Sequence, residues 1–72
     1  MGDIPVINIY LNGEVVSISK NQSLVELLKE QGYIDNGYAV ALNRQFVPHG
    51  LHEKTFLQEN DEIDIIEPMQ GG

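Results

Sequence analysis

Five uncharged residues close the chain: Pro68-Met69-Gln70-Gly71-Gly72. A proline stops sheet pairing, and two successive glycines let a backbone bend freely and pass through a channel too narrow for any side chain. Such an end suits delivery of its own carboxylate, at Gly72, into another protein's active site, with Gly71 and Gln70 threading behind it. A carboxylate is a poor acylating group at neutral pH, so this use requires a partner enzyme that forms an acyl-adenylate from ATP for a nucleophile to attack. The same five residues also read as an ordinary frayed terminus, and their types alone leave both readings open.

Elsewhere the chain offers little chemistry of its own. There is no cysteine, which removes thiolate nucleophiles, zinc-thiolate sites and disulfides together. Ser17, Ser19, Ser23 and Thr55 are the available hydroxyls, and no base is placed beside any of them. His49 and His52, with Glu53 near them, form a conceivable metal cluster, but two histidines without a third fixed ligand are weak, and Pro48 and Gly50 argue for a loop. Asn12-Gly13 lacks phosphate-loop spacing and reads as a turn. The expectation is therefore no catalytic residue, no metal and no bound cofactor.

Composition narrows the partners. The 72 residues are 42% hydrophobic and carry 4 basic against 11 acidic side chains, a formal charge of −7, so they describe one small acidic domain. No apolar run approaches the ~20 residues of a membrane span, and residues 1–5 lack the basic start and apolar stretch of a secretory signal. A sequence pI near 4.4 disfavours nucleic acid and anionic lipid and favours a basic protein partner. The absence of cysteine fits a reducing, cytoplasmic setting, and the acidic surface fits a monomer.

The elements that position the end follow from local pattern. Val6-Ile7-Asn8-Ile9-Tyr10-Leu11, then Asn12-Gly13, then Glu14-Val15-Val16-Ser17-Ile18 predicts a hairpin with a type I′ turn and with Ile7, Ile9 and Leu11 on the core face. Ser23 with Glu26 three residues on predicts a capping box, and Leu24, Val25, Leu27 and Leu28 an apolar stripe, over a helix at residues 24–31 ended by Gly32. Residues 38–42, a turn at Asn43-Arg44 and residues 45–47 predict a second hairpin, stopped by Pro48. Residues 48–54 read as a loop or single helical turn, and 55–57 as a short extended piece. Residues 62–67 predict a last strand with Ile63 and Ile65 facing one way. The order gives an α+β class, a mixed sheet of four to five strands covered by one main helix. Residues 1–67 form the domain and residues 68–72 a flexible tail.

Taken together, several pieces carry a resemblance: Leu11-Asn12-Gly13-Glu14, Ser23-Leu24-Val25-Glu26-Leu27-Leu28, Val40-Ala41-Leu42-Asn43 with Val47-Pro48, Asp61-Glu62-Ile63, and Gly71-Gly72. In this order and spacing the chain resembles the ThiS family of sulfur carrier proteins of thiamin biosynthesis, along nearly its whole length. The resemblance implies a ubiquitin-like β-grasp fold with the first and last strands parallel at the sheet centre. It implies that Gly72 is adenylated by a ThiF-like enzyme using ATP and magnesium. Sulfur from a donor such as a cysteine desulfurase then converts Gly72 to a thiocarboxylate, which supplies sulfur to a ThiG-like thiazole synthase. Two departures stand out: Gly2-Asp3-Ile4-Pro5 extends the start, and Asn60-Asp61 stands where the family often has Gly-Asp.

Docking residues are a separate expectation. Ile66 faces away from Ile63 and Ile65, and Met69 has no core position, so both, with Phe46, form a candidate apolar patch beside the tail. Glu62, Asp64 and Glu67 would steer a basic partner. Rival readings are a MoaD-like sulfur carrier subunit for molybdopterin synthesis, a ubiquitin-like modifier that forms an isopeptide bond, and an interaction module whose tail does no chemistry.

Overall fold

The computed structural model describes residues 5–33 and 37–67. Residues 1–4, 34–36 and 68–72 lie outside the described residues, so the expectations for Met69, Gln70, Gly71 and Gly72 fall on positions of which the structure says nothing. In chain order the elements are β1 (Val6–Leu11), β2 (Glu14–Ser19), α1 (Leu24–Glu30), β3 (Ala39–Leu42), β4 (Gln45–Val47), a 3-10 helix (His49–Lys54) and β5 (Glu62–Ile66). They form a five-stranded mixed sheet in the order β2-β1-β5-β3-β4. β1 and β5 run parallel, and every other neighbouring pair is antiparallel. This is the β-grasp arrangement that the sequence resemblance implies. No helix among the described residues is long and apolar enough to cross a membrane.

Alternation along each strand sorts the sheet into two faces. Ile7, Ile9, Ile18, Val40, Ile63 and Ile65 point one way and are buried, and α1 closes over them with Leu24, Leu27 and Leu28. Leu11 lies at the edge of this core and is only partly buried. Removing one of the fully buried aliphatic side chains from so small a core would cost about 2–5 kcal/mol.

Short-range chemistry fixes the ends of α1. The Glu26 amide donates to Ser23 Oγ at 3.2 Å while the Ser23 amide donates to Glu26 Oε1 at 3.1 Å, a complete capping box. At the other end the helix stops at Glu30, one residue short of the expected range. Gly32 takes φ +90°, and the Gly32 and Tyr33 amides donate to the carbonyls of Lys29 and Leu28. That pair of bonds is the Schellman closure, which satisfies carbonyls the helix leaves open.

Two expectations shift. Within residues 48–54, His49–Lys54 form a six-residue 3-10 helix rather than a loop or a single turn. Pro48 ends β4, its carbonyl accepts from the Leu51 amide at 2.9 Å, and the segment is held down by the buried His52. β3 starts at Ala39, not at Tyr38, and β5 ends at Ile66, not at Glu67. The extended piece after the 3-10 helix is present. It braces the start of α1, with the Leu24 amide donating to the Thr55 carbonyl and the Leu57 amide to the Gln22 carbonyl.

Both hairpin turns have two left-handed residues. Asn12 and Gly13 lie at φ 49° and 87°, Asn43 and Arg44 at 51° and 71°, as the type I′ geometry demands. The turn asparagines also reach sideways onto β5. Asn43 pairs with Glu62 through its amide (2.7 Å) and its Oδ1 (3.0 Å), and Asn12 Oδ1 accepts from the Ile65 amide at 2.8 Å.

A Cβ at Gly13 would meet nothing within 4 Å, so a substitution there is opposed by backbone conformation alone. We expect Gly13→Ala to lower stability by about 1 kcal/mol. Urea denaturation should show this as a lower midpoint with an unchanged slope.

Candidate functional site

β5 leads to the carboxyl-terminal residues, so the surface around its end is the site of interest. Its inward residues, Ile63 and Ile65, sit in the core, which leaves Glu62, Asp64 and Ile66 on the sheet face that α1 does not cover. Strand register then decides their neighbours. Ile66 lies beside Ala39, and Asp64 beside Ala41, which has Phe46 on its other side. The small alanines of β3 form a low strip between two prominent apolar groups, Ile66 at 58% exposure and Phe46 at 67%. Glu62 pairs with Tyr10 of β1, and Glu67 follows Ile66 in an exposed position.

The structure thus gathers Phe46, Ile66, Glu62 and Asp64 on one face, with Glu67 at its margin. Asp64 is half-buried whereas Glu62 and Glu67 are exposed. Val6, Tyr10 and Val15 add exposed apolar groups to the same face, at 61%, 39% and 61%. The sequence reading missed these three. The signal was present, because the alternation that turns Ile7 and Ile9 inward turns Val6 and Tyr10 outward, and the hairpin register places Val15 beside Tyr10.

A second cluster lies between α1 and the 3-10 helix. His49 and His52, three residues apart and therefore nearly eclipsed on such a helix, have ring centroids 4.6 Å apart. Both rings pack against Tyr38, which meets Tyr33 edge-on at 5.3 Å. Lys29 of α1 and Glu53 line the adjoining groove. Among the described residues no group of three or more metal-ligating side chains forms. His52 is 3% exposed, and its Nε2 lies 3.2 Å from the Val47 carbonyl, tying the 3-10 helix to β4.

Three of the four serine and threonine hydroxyls are committed locally. Ser23 caps α1, Ser17 Oγ donates to Asn8 Oδ1 at 2.8 Å, and Thr55 Oγ1 donates to the Leu51 carbonyl at 2.7 Å. Each has a sufficient structural role.

Burial, and to a smaller degree the neighbouring His49, hold the His52 imidazole below its usual value of 6.5, while the Val47 contact opposes them. The unfolded chain therefore binds more protons than the folded one between that lowered value and about 6.5, and stability rises with pH across this window. We expect wild-type protein to lose stability as pH falls from about 7.5 to about 5.5. His52→Gln, which keeps a donor for Val47 but cannot titrate there, should show a shallower loss in paired urea titrations.

The ThiS family model matches residues 9–72. The chain is 35% identical over 66 residues to the uncharacterized protein ycf40 of Pyropia yezoensis, covering 92% of this chain and 93% of that one. It is 30% identical, with the same coverage, to its counterpart in Porphyra purpurea. Among solved structures, the thiamine biosynthesis protein (ThiS) of Geobacter metallireducens superposes with a TM-score of 0.79 at 20% identity, over 92% of this chain and 100% of that one.

Proposed function

Because the chain belongs to the ThiS family of small carrier proteins, we propose that it is a sulfur carrier of thiamin biosynthesis that bears its cargo as a thiocarboxylate on Gly72. The observation that carries the reading is the family match, which runs through Gly71 and Gly72 and so includes the two residues this chemistry needs. The protein is a co-substrate, and the catalytic groups belong to its partners.

In the proposed cycle a ThiF-like enzyme holding magnesium-ATP receives the tail. The Gly72 carboxylate attacks the α-phosphorus, pyrophosphate leaves, and an acyl-adenylate remains. A hydrosulfide equivalent, released from the persulfide of a donor such as a cysteine desulfurase by a thiol reductant that supplies the two electrons, then attacks the carbonyl carbon. AMP departs with one of the original carboxylate oxygens, a proton is released, and one sulfur stands in that oxygen's place. A ThiG-like thiazole synthase consumes this sulfur, and the regenerated carboxylate is free for another round. Glycines at 71 and 72 suit the passage, since no side chain obstructs entry into a narrow active site.

Docking is assigned to the sheet face beside the end of β5. Ile66 and Phe46 offer apolar anchors on either side of the alanine strip, with Met69 following in the chain; Asp64 and Glu67 flank Ile66, and Glu62 adds negative charge at the start of the strand. An activating enzyme with a basic rim around an apolar patch matches both features. The cytoplasm, with its ATP and reduced sulfur donors, suits this cycle.

Intact mass after incubation with a ThiF-like enzyme, magnesium-ATP and a sulfur donor tests the chemistry. One oxygen should be exchanged for one sulfur in the full chain, and a chain lacking Gly72 should fold normally and stay unchanged. With an enzyme competent on another carrier, an unreacted full chain would refute the carrier role. A lysine-linked covalent adduct would instead point to a protein modifier.

Docking has its own test. Ile66→Ser should weaken binding to the activating enzyme by roughly tenfold, the loss expected of a central apolar contact. Combined Glu62→Lys, Asp64→Lys and Glu67→Lys should slow association strongly at low salt and little at high salt. Association rates that ignore the reversal would remove electrostatic steering from the account.

A further inference from the structure

Two imidazoles that the proposed cycle does not use face each other across one turn of the 3-10 helix. His49 and His52 are three residues apart, which on such a helix sets one side chain nearly above the other. Their ring centres lie 4.6 Å apart and their planes are tilted by 44°, so the rings are close without stacking flat. With metal–nitrogen bonds of about 2.0–2.1 Å, two imidazoles bound side by side on one ion hold their centres roughly 4.5–5 Å apart. The pair already has that spacing.

What separates it from two ordinary surface histidines is that one ring is fixed. His52 is buried, and its Nε2 lies 3.2 Å from the Val47 carbonyl. A carbonyl only accepts, so Nε2 carries the proton and, in the neutral ring, Nδ1 holds the free lone pair. Nδ1 makes no hydrogen bond, yet no buried side-chain polar atom among the described residues lacks a partner. Nδ1 therefore reaches solvent, and His52 meets solvent in the groove of about 380 Å³ between α1 and the 3-10 helix, which His49 also lines. Metal-binding histidines commonly bond one ring nitrogen to a carbonyl in this way, which aims the other at the ion. A ring held by burial and by Val47 also has little freedom left to lose on binding. Sequence spacing alone left this pair weak because nothing in it fixed a ring, and the packing of the 3-10 helix supplies what was missing.

We propose that His49 and His52 together chelate a divalent ion of the zinc type, through Nδ1 of His52 and one ring nitrogen of His49. Imidazole suits zinc and copper, whereas magnesium and calcium prefer oxygen ligands. Glu53 lines the groove but completes no three-ligand set, so water fills the remaining positions and the site is an open one. Lys29 lines it too, and its ammonium group opposes a cation there. The groove lies on the side of the sheet that α1 covers, away from Phe46 and Ile66, and the inference stands apart from the carrier reading.

Zinc chloride alone, titrated into the untagged full chain, is the test. Calorimetry should give one saturable site in the micromolar range, and zinc should raise the thermal midpoint, because an ion that binds only the folded chain stabilises it. Nitrogen-15 spectra should show Nδ1 of His52 moving as zinc is added while Nε2 keeps its proton, with no shift at the Ile66 amide. His49 is exposed, so His49→Ala should fold normally. It should weaken zinc binding by at least about tenfold, the loss that removal of even an outer-shell partner brings. Lys29→Ala should strengthen binding, most clearly at low salt.

Equal zinc affinity in wild type and His49→Ala would overturn the proposal, as would the absence of saturable zinc binding in wild type. Displacement of zinc by excess magnesium, or spectral shifts centred on Glu62 and Asp64, would overturn it as well, since either would mark a cation held by surface carboxylates. Weaker zinc binding in a folded Lys29→Ala protein would place the ion outside this groove.

Discussion

Parallel pairing of β1 with β5 is the contact on which the remaining architecture hangs. It joins opposite ends of the chain, and its last bond links Asn12 to Ile65 across 53 positions. Two parallel strands cannot be joined by a tight turn, so the intervening chain must cross from one end of the sheet to the other. α1 makes that crossing over the apolar face and buries the isoleucines as it does so. The second hairpin then adds β3 and β4 on the free side of β5. β5 consequently occupies the middle of the sheet although it is the last element formed in sequence.

A central strand with one face in the core and one face uncovered meets opposing demands. Its inward residues, Ile63 and Ile65, anchor it in the core. Its outward residues are left uncovered, because α1, the one helix among the described residues long enough to cover a face, lies on the other one. Exposed Ile66 and Phe46 are therefore a consequence of the fold's single-layer coverage, which leaves a partner as their natural cover. The alanines of β3 matter here, since larger side chains at 39 and 41 would fill the strip between them. The core and the proposed docking residues thus lie on opposite faces of the same strands, and a substitution on one face need not disturb the other.

The acidic balance and the lack of cysteine fit this division. With no disulfide, a chain of 72 residues relies on its single core and on satisfied polar groups at its boundaries. The capping box at Ser23, the Schellman closure at Gly32 and the asparagine contacts to β5 fill that need, and no buried side-chain polar atom among the described residues lacks a partner. His52 is the exception in kind, a buried titratable ring whose burial disfavours its charged form while its bond to the Val47 carbonyl favours it.

Much of the molecule was legible from sequence because the controlling interactions are local. A type I′ turn is decided by two adjacent residues that tolerate positive φ, a helix start by a serine and a glutamate three apart, and a strand's buried face by alternate residues. These fixed the first hairpin, α1, the second hairpin and the inward set of β5 before any contact between them was known. The diglycine end, likewise, is a property of the chain itself. Tertiary structure decided what depends on segments far apart meeting in register. The 3-10 helix exists where His52 finds the Val47 carbonyl and Tyr38. Phe46 and Ile66 come to share one face only because β3, with its alanines, brings β4 and β5 to its two sides. Asn12, which the sequence marked as a turn residue, gains its second role only when β5 arrives beside it, because a side chain can replace a backbone carbonyl only where another strand brings the matching amide.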